Sequence, residues 1–380
     1  MKTLVIGAGM MGSALAYDLA HSEKVSGVIL ADINQERAET VARSIGKNVT
    51  SKKLDTGYFD DVVETMRGAD VAIGATSYQH NYLLAKAAIE AGIHFCDLGG
   101  NMDVVDHQIT LDAKAKAANV CILPNCGLAP GLACVIAAGG AQRVNGIEGI
   151  HIRVGGLPQH PQPPLNYQLV FSAEGLINEY LEPAEVIRNG QLQHVESMID
   201  IEELEFPPPL GTLEAFNTSG GISTLTRMFK GKANDLDYKT IRYKGHCEKF
   251  KTLLDLGFAG SEPVMVGENV MTTREFFEEL LRKKLPTNGP DIVLMRVTIR
   301  GTMNGTHKTL AYEMIDYYDS TLKMTSMMRT TAFPTSIIAQ MVASGTIAAR
   351  GVLPPEQCVP LEPFLKELKK RNIIINETLT

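Results

Sequence analysis

The first third of the chain alternates short apolar runs with segments whose apolar positions recur at helical spacing. Residues 3–6, 27–31, 49–54, 71–73, 93–96 and 120–123 read as strands buried in a sheet. Between them, residues 10–21, 35–45, 59–67, 79–91 and 105–118 carry helical patterns. Strand and helix repeated in this way, with short connections, predict a parallel sheet with right-handed crossovers. The expected architecture is α/β, a Rossmann-type doubly wound sheet.

From about Gly146 the rhythm changes to period two. Residues 150–154 alternate, and so do Val293, Met295, Val297 and Ile299 before the turn Met303-Asn304-Gly305-Thr306, with Leu310, Tyr312 and Met314 after it. Asn-Gly between two alternating runs predicts a β-hairpin. Residues 322–328 are expected to add a third antiparallel strand, residues 246–256 and 272–284 to form helices, and the proline-rich stretches 158–164 and 207–209 to be loops. This middle part is expected to be a second, α+β domain containing an antiparallel sheet. A helix over 335–347 and a last one over 362–371 are expected to return to the first domain. The predicted division is therefore 1–130 plus 334–380 for the first domain and 131–333 for the second.

Composition narrows the function classes. The 380 residues include 36 Lys and Arg against 43 Asp and Glu, a formal net charge of −7. Nucleic-acid binding is not expected, because it needs clustered cations, and the basic cluster Lys369-Lys370-Arg371, only three residues long, reads as a solvated helix face. The 6 cysteines include no C-x-x-C pair, so neither a zinc site nor a disulfide scaffold is expected, and a reduced, cytoplasmic protein is. No apolar stretch is long enough for a membrane span, and the run at residues 1–6 breaks at Gly7 with no cleavage pattern after it.

The first loop carries the clearest chemistry. Gly7-Ala8-Gly9-Met10-Met11-Gly12 follows the first strand and opens the first helix. Gly7 suits a tight turn, Gly9 leaves the backbone bare for a pyrophosphate, and Gly12 permits close helix-to-strand packing. Asp32 ends the second strand, where a carboxylate accepts hydrogen bonds from ribose hydroxyls and repels a 2′-phosphate, so NAD is expected rather than NADP. Arg37 is expected over the adenine or in solvent. Three glycine-rich stretches, 74–81, 96–101 and 124–131, end the fourth, fifth and sixth strands and form the expected floor of an active site, with Thr76 and Gly127 beside the cofactor. Asp97, Tyr78 and His80 stand there too, as reactive groups or as caps and turn formers. Gly131, opening an apolar helix, has backbone amides for a carboxylate.

These residues, together with the stretches 171–176, 183–190, 213–221 and 239–246, resemble the saccharopine dehydrogenase-like family, and within it are most similar to the lysine 6-dehydrogenase branch. The resemblance covers essentially the whole chain. It implies a Rossmann domain completed by C-terminal helices and a second domain for substrate binding and dimerisation. It also implies that Tyr78 and Asp97 approach the reacting centre, and that the 217–221 loop lies where saccharopine reductases have an arginine. This chain has Asn217-Thr218-Ser219-Gly220-Gly221 there, which argues against saccharopine.

Oxidising a primary amine needs a neutral amine at the moment of hydride loss, hence a base or a dry pocket. Lysine further needs a cation for its α-carboxylate, for which Arg242 and His246 are the candidates, and an acceptor for its α-ammonium, for which Glu174 is. Asn217 and Thr218 complete the expected substrate set. The expected function is NAD-dependent oxidative deamination of the ε-amino group of L-lysine by a homodimer or higher oligomer. The alternatives are a saccharopine or carboxynorspermidine-type reductase, and a dinucleotide-binding sensor without turnover.

Overall fold

Except for the edge strand Val49–Lys53, which stays intermediate to exposed and is not the buried run expected there, the apolar runs near the start of the chain have no polar face to give to solvent, and they pair side by side. In the computed structural model, which describes residues 1–287 and 289–380, β1 (Lys2–Ile6), β2 (Gly27–Asp32), β3 (Val49–Lys53), β4 (Val71–Gly74), β5 (His94–Asp97) and β6 (Cys121–Leu123) are all parallel. Their order is 3-2-1-4-5-6, and a short strand, Gly351–Val352, adds a seventh beside β6. Strand order reverses where β1 meets β4, so the carboxyl ends of these two strands open a crevice suited to a ligand.

The connecting helices are α1 (Met10–Ala20), α2 (Gln35–Ile45), α3 (Phe59–Met66), α4 (Asn81–Ala91), α5 (Met102–Ile109), α6 (Asp112–Ala117) and α7 (Leu132–Ala141). The helix expected over 105–118 is two. The Asn101 side chain accepts from Val104 N and starts α5 earlier, and the Thr110 hydroxyl donates back to His107 O and competes with the ladder where α5 ends.

Contacts divide the chain into two units. The first comprises Met1–Arg143, Ser223–Leu225 and Met328–Ile375, and the second Val144–Ile222, Thr226–Met327 and Asn376–Thr380. In the first unit the C-terminal segments are fastened to α1 by one buried carboxylate. Asp18 accepts from Ser336 Oγ at 2.6 Å and from Arg371 Nε at 2.7 and 2.9 Å. The basic cluster 369–371 is thus not wholly solvated, because Arg371 turns inward to this ion pair.

The second unit is built on a nine-stranded sheet. The hairpin of Asp291–Met303 and Thr306–Tyr317 forms around Asn304 and Gly305, both at positive φ (51° and 80°), as a type I′ turn requires. One pair departs from the antiparallel expectation: Asn145–Pro158 and Ala233–Tyr243 run parallel. Helices Ala173–Leu181, His246–Asp255 and Thr273–Lys284 contribute to one core with Phe216 from the sheet, through Tyr180, Phe250 and Phe277. The strand expected over 322–328 is absent. The Asp319 carboxylate accepts from Thr321 N and Leu322 N and coils the segment, and Asp291 accepts from Ser326 N and Met327 N and starts the helix Ser326–Ala343 there, nine residues before the expected start at 335. Among the described residues no helix is long and apolar enough to cross a membrane.

Arg371→Ala leaves the Asp18 carboxylate buried without its cation, and breaking such a pair costs about 3 kcal/mol. Urea unfolding is expected to show that loss, whereas Lys369→Ala, at an exposed position, is expected to change stability by less than about 0.5 kcal/mol.

Candidate active site

At the crevice of the first unit the backbone itself makes the surface. Gly7 has φ +109°, and a Cβ there would lie 2.5 Å from Ala75 O. A Cβ on Gly12 would collide with the Gly7 carbonyl oxygen, whereas one on Gly9 would meet nothing within 4 Å. Gly7 and Gly12 are therefore demanded by packing, and Gly9 is a bare face. Gly9 is the N-cap of α1 and supplies no side-chain cap, so the first-turn amides, including those of Met10 and Met11, keep their affinity for an anion.

Asp32 is buried at the end of β2, where its Oδ2 accepts from Ala8 N at 2.6 Å and its Oδ1 from Asn34 N at 2.8 Å. Each oxygen keeps a second lone pair for a hydroxyl. Arg37, half exposed, leans towards Asp32, with Nη2 3.7 Å from Oδ1. Beyond β4 and β6, Thr76 Oγ1 and Asn125 Oδ1 are buried without a hydrogen-bond partner. A bare glycine, uncapped amides, an acceptor carboxylate and unspent polar atoms fit a dinucleotide.

Asp97, the first turn of α7, Gly127, Tyr78 and His80 lie in the same unit. Asp97 is fully buried, and its carboxylate takes Gly99 N and Asn125 N on Oδ1 and Gln108 Nε2 on Oδ2. Burial raises its pKa against these donors, which lower it. It holds the loops after β5 and β6 together and is not an accessible base. The amides at the start of α7 do not wait for a carboxylate either, because Leu132 N donates to Gly127 O and Ala133 N to Leu128 O. The loop packs closely on Gly127, where a Cβ would stand 3.2 Å from Leu98 O. Tyr78 opens the short 3-10 helix Tyr78–His80, half-buried, its ring against Gly100, and His80 Nδ1 lies 3.2 Å from Thr56 Oγ1.

In the second unit Arg242, near the end of the strand Ala233–Tyr243, has its guanidinium inside the protein. It lies over the Tyr167 and Tyr180 rings at 4.9 and 5.7 Å, with Nε donating to Tyr180 Oη and Nη1 to Ile241 O. Burial opposes its charge, but Tyr180, Tyr167 and Glu179 outweigh that and raise its pKa. Having accepted from Arg242, the Tyr180 hydroxyl donates to His246 Nε2, and His246 Nδ1 donates to Leu165 O. That chain requires a neutral His246. Burial, and then Arg242, push its pKa down to about 3, so His246 is a brace and not the second cation expected beside Arg242. Glu214 fixes the brace by accepting from Gly245 N and Cys247 N at the start of its helix.

The acid beside Arg242 is Glu179, not Glu174, with Oε1 4.0 Å from Nη2. Five residues along a helix turn a side chain by about 140°, so the two acids lie on different faces. Thr218 and Thr240 share a hydrogen bond of 2.7 Å, and the Thr240 hydroxyl also contacts Glu179 Oε1. Asn217 donates to Asp200 through Nδ2, while its Oδ1 is buried without a partner. Glu179 and Tyr180 escaped the sequence reading. Their signal was an acid next to a buried aromatic on an amphipathic helix. Among the described residues no group of three or more His, Cys, Asp or Glu is placed to hold a metal ion.

Residues 3–123 match the saccharopine dehydrogenase NADP binding domain, and residues 127–374 match the saccharopine dehydrogenase C-terminal domain. Alpha-aminoadipic semialdehyde synthase of Rattus norvegicus is 21% identical over the whole chain, which spans only 48% of that protein. Carboxyaminopropylagmatine dehydrogenase of Synechocystis is 29% identical over 36% of this chain and 37% of its own. The structure of saccharopine dehydrogenase (L-Glu forming) from Saccharomyces cerevisiae superposes with a TM-score of 0.82 at 19% identity, covering 100% of this chain and 99% of that one.

The neutral His246 makes stability depend on pH. Its folded pKa of about 3 lies below the usual 6.5, so between these values the unfolded chain binds the extra proton and stability falls as pH falls. His246→Asn, which keeps a donor for Leu165 O, is expected to lessen that slope by about 1.4 kcal/mol per pH unit, read from urea unfolding across the window.

Proposed function

The chain belongs to the saccharopine dehydrogenase family of amino-acid dehydrogenase-type oxidoreductases, and from that premise we propose that it oxidises the ε-amino group of L-lysine with NAD. The products are the 6-semialdehyde, which cyclises to a piperideine carboxylate, ammonia and NADH. The proposed enzyme works as a homodimer or higher oligomer.

Gly7, Gly9, Met10, Met11 and Gly12 would hold the pyrophosphate, Asp32 the adenosine ribose, and Thr76, with its unspent hydroxyl, the cofactor beyond β4. Gly127 shapes the neighbouring loop. Bound there, the dinucleotide supplies the hydride acceptor. The remaining work falls to side chains: Tyr78 contacts the reacting amine, and Arg242 anchors the α-carboxylate. The amine must lose a proton whose free pKa is about 10.4, which a water-poor site favours.

The observation that carries lysine rather than saccharopine is the lining at 217–219. Thr218 leads through Thr240 to Glu179, and the Ser219 hydroxyl lies 3.3 Å from Glu182 Oε2, while Asn217 bonds to Asp200, whose carboxylate Arg188 also holds at 2.8 Å. Acids and hydroxyls suit an ammonium. Saccharopine, which the name of the yeast protein gives as its substrate, adds a glutamyl arm with two carboxylates, and burying one unpaired costs several kcal/mol.

NADH absorbance with lysine, ornithine, saccharopine and diamines tests the reading, and lysine is expected to give the highest kcat/KM. NADH from saccharopine but not from lysine would overturn it, and NAD binding without NADH from any amine would mark a binding protein. For the cofactor, Asp32→Ser removes a charged acceptor, and NAD affinity is expected to fall roughly ten- to a hundredfold while NADP gains in relative terms. Equal affinity of the unaltered protein for the two cofactors would remove the basis of this assignment.

A further inference from the structure

Arg242 and Glu179 are close without being closed on one another. Their 4.0 Å separation is an ion pair but too long for a hydrogen bond. On the guanidinium, Nε and Nη1 are committed to Tyr180 and Ile241 O, and the two tyrosine rings hold its plane, so Nη2 is the nitrogen that faces Glu179. Glu179 is held from the other side by Thr240, and its side chain is 17% exposed where that of Arg242 is 4%. Thr240 has one proton, which goes to the carboxylate, so its oxygen accepts from Thr218. Two hydroxyls in series thus aim Glu179 at a fixed place beside a fixed cation.

A carboxylate and a guanidinium fixed side by side are complementary to an ammonium and a carboxylate on adjacent atoms. We propose that Glu179 reads the α-ammonium of the substrate while Arg242 takes its α-carboxylate, so that the second unit selects a complete α-amino-acid head group. This rests on the lysine reading for the role of Arg242, and it adds Glu179, Thr240 and Thr218 as the residues that set specificity. Diamines lack the carboxylate and ω-amino acids lack the α-ammonium, and both are discriminated against by the same pair.

The test uses two ligands that cannot react at an ε-amine, L-norleucine and hexanoate, which differ in the α-ammonium alone. Calorimetric titration into the NADH-loaded enzyme is expected to show norleucine binding at least about tenfold more tightly than hexanoate. Glu179→Gln is expected to bring that ratio close to one by weakening norleucine and leaving hexanoate unchanged, and Glu179→Asp to keep part of the preference. Should Glu179→Gln fold poorly, Thr240→Val, which releases the carboxylate from its hydroxyl, is expected to reduce the same ratio. A ratio unaffected by Glu179→Gln, or an equal weakening of both ligands, overturns the proposal and leaves Glu179 as a charge balancer for Arg242. Because neither ligand carries the ε-amine, a head-group preference that follows Glu179 supports the proposal even where lysine yields no NADH.

Discussion

The absence of room for two side chains, at Gly7 and Gly12, is the constraint on which the first unit depends. With β1 and β4 adjacent, the chain leaves β1 against Ala75 and re-enters a helix against Gly7, and a Cβ at either glycine meets backbone. That contact sets the position of α1. From it follow the direction of the first-turn amides, the hydrogen bond from Ala8 N to Asp32, and the place of Asp18 at the other end of the helix. Asp18 in turn gathers Ser336 and Arg371, so segments far apart in sequence close on one carboxylate. A turn of six residues thereby governs both where a dinucleotide fits and how the C-terminal helices are fastened.

The second unit is organised around a buried charge. An arginine inside a protein is tolerated only when its charge and its protons are answered, and here two aromatic faces, a phenol, a carbonyl and a nearby carboxylate answer them. The direction of each proton then propagates outward. Tyr180 must accept from Arg242, so it donates to His246, so His246 is neutral with its proton on Nδ1. One cation therefore determines the protonation of a histidine that was a candidate for sharing its role.

The proposed chemistry divides along the same lines. The first unit offers backbone amides and acceptors, which suit a phosphate-bearing cofactor and its ribose. The second offers the buried Arg242 beside Glu179 and the hydroxyls of Thr240 and Thr218, which suits a substrate head group with a carboxylate and an ammonium. Asp97 belongs to neither list as a reacting group. Its three donors make it the tie between the loops on which such a site is built.

What the sequence determined by itself is what short-range physics decides. Alternation of buried runs with helical periods named a doubly wound sheet, Asn304-Gly305 named a hairpin whose two positive φ values most residues resist, and the glycines before α1 with Asp32 after β2 named the dinucleotide fingerprint, because each depends on neighbours in the chain. Most of the features that the sequence did not place depend on distant partners. Asp291 turned an expected strand into a helix start, Asp18 drew Arg371 out of a solvated face, and Asn125 and Gln108 consumed the carboxylate of Asp97. The acid nearest Arg242 was decided in the same way. Glu174 and Glu179 share a helix and a charge, and only the packing of that helix on the sheet, with Tyr180 against Phe216 and Phe250, brought the second to the guanidinium.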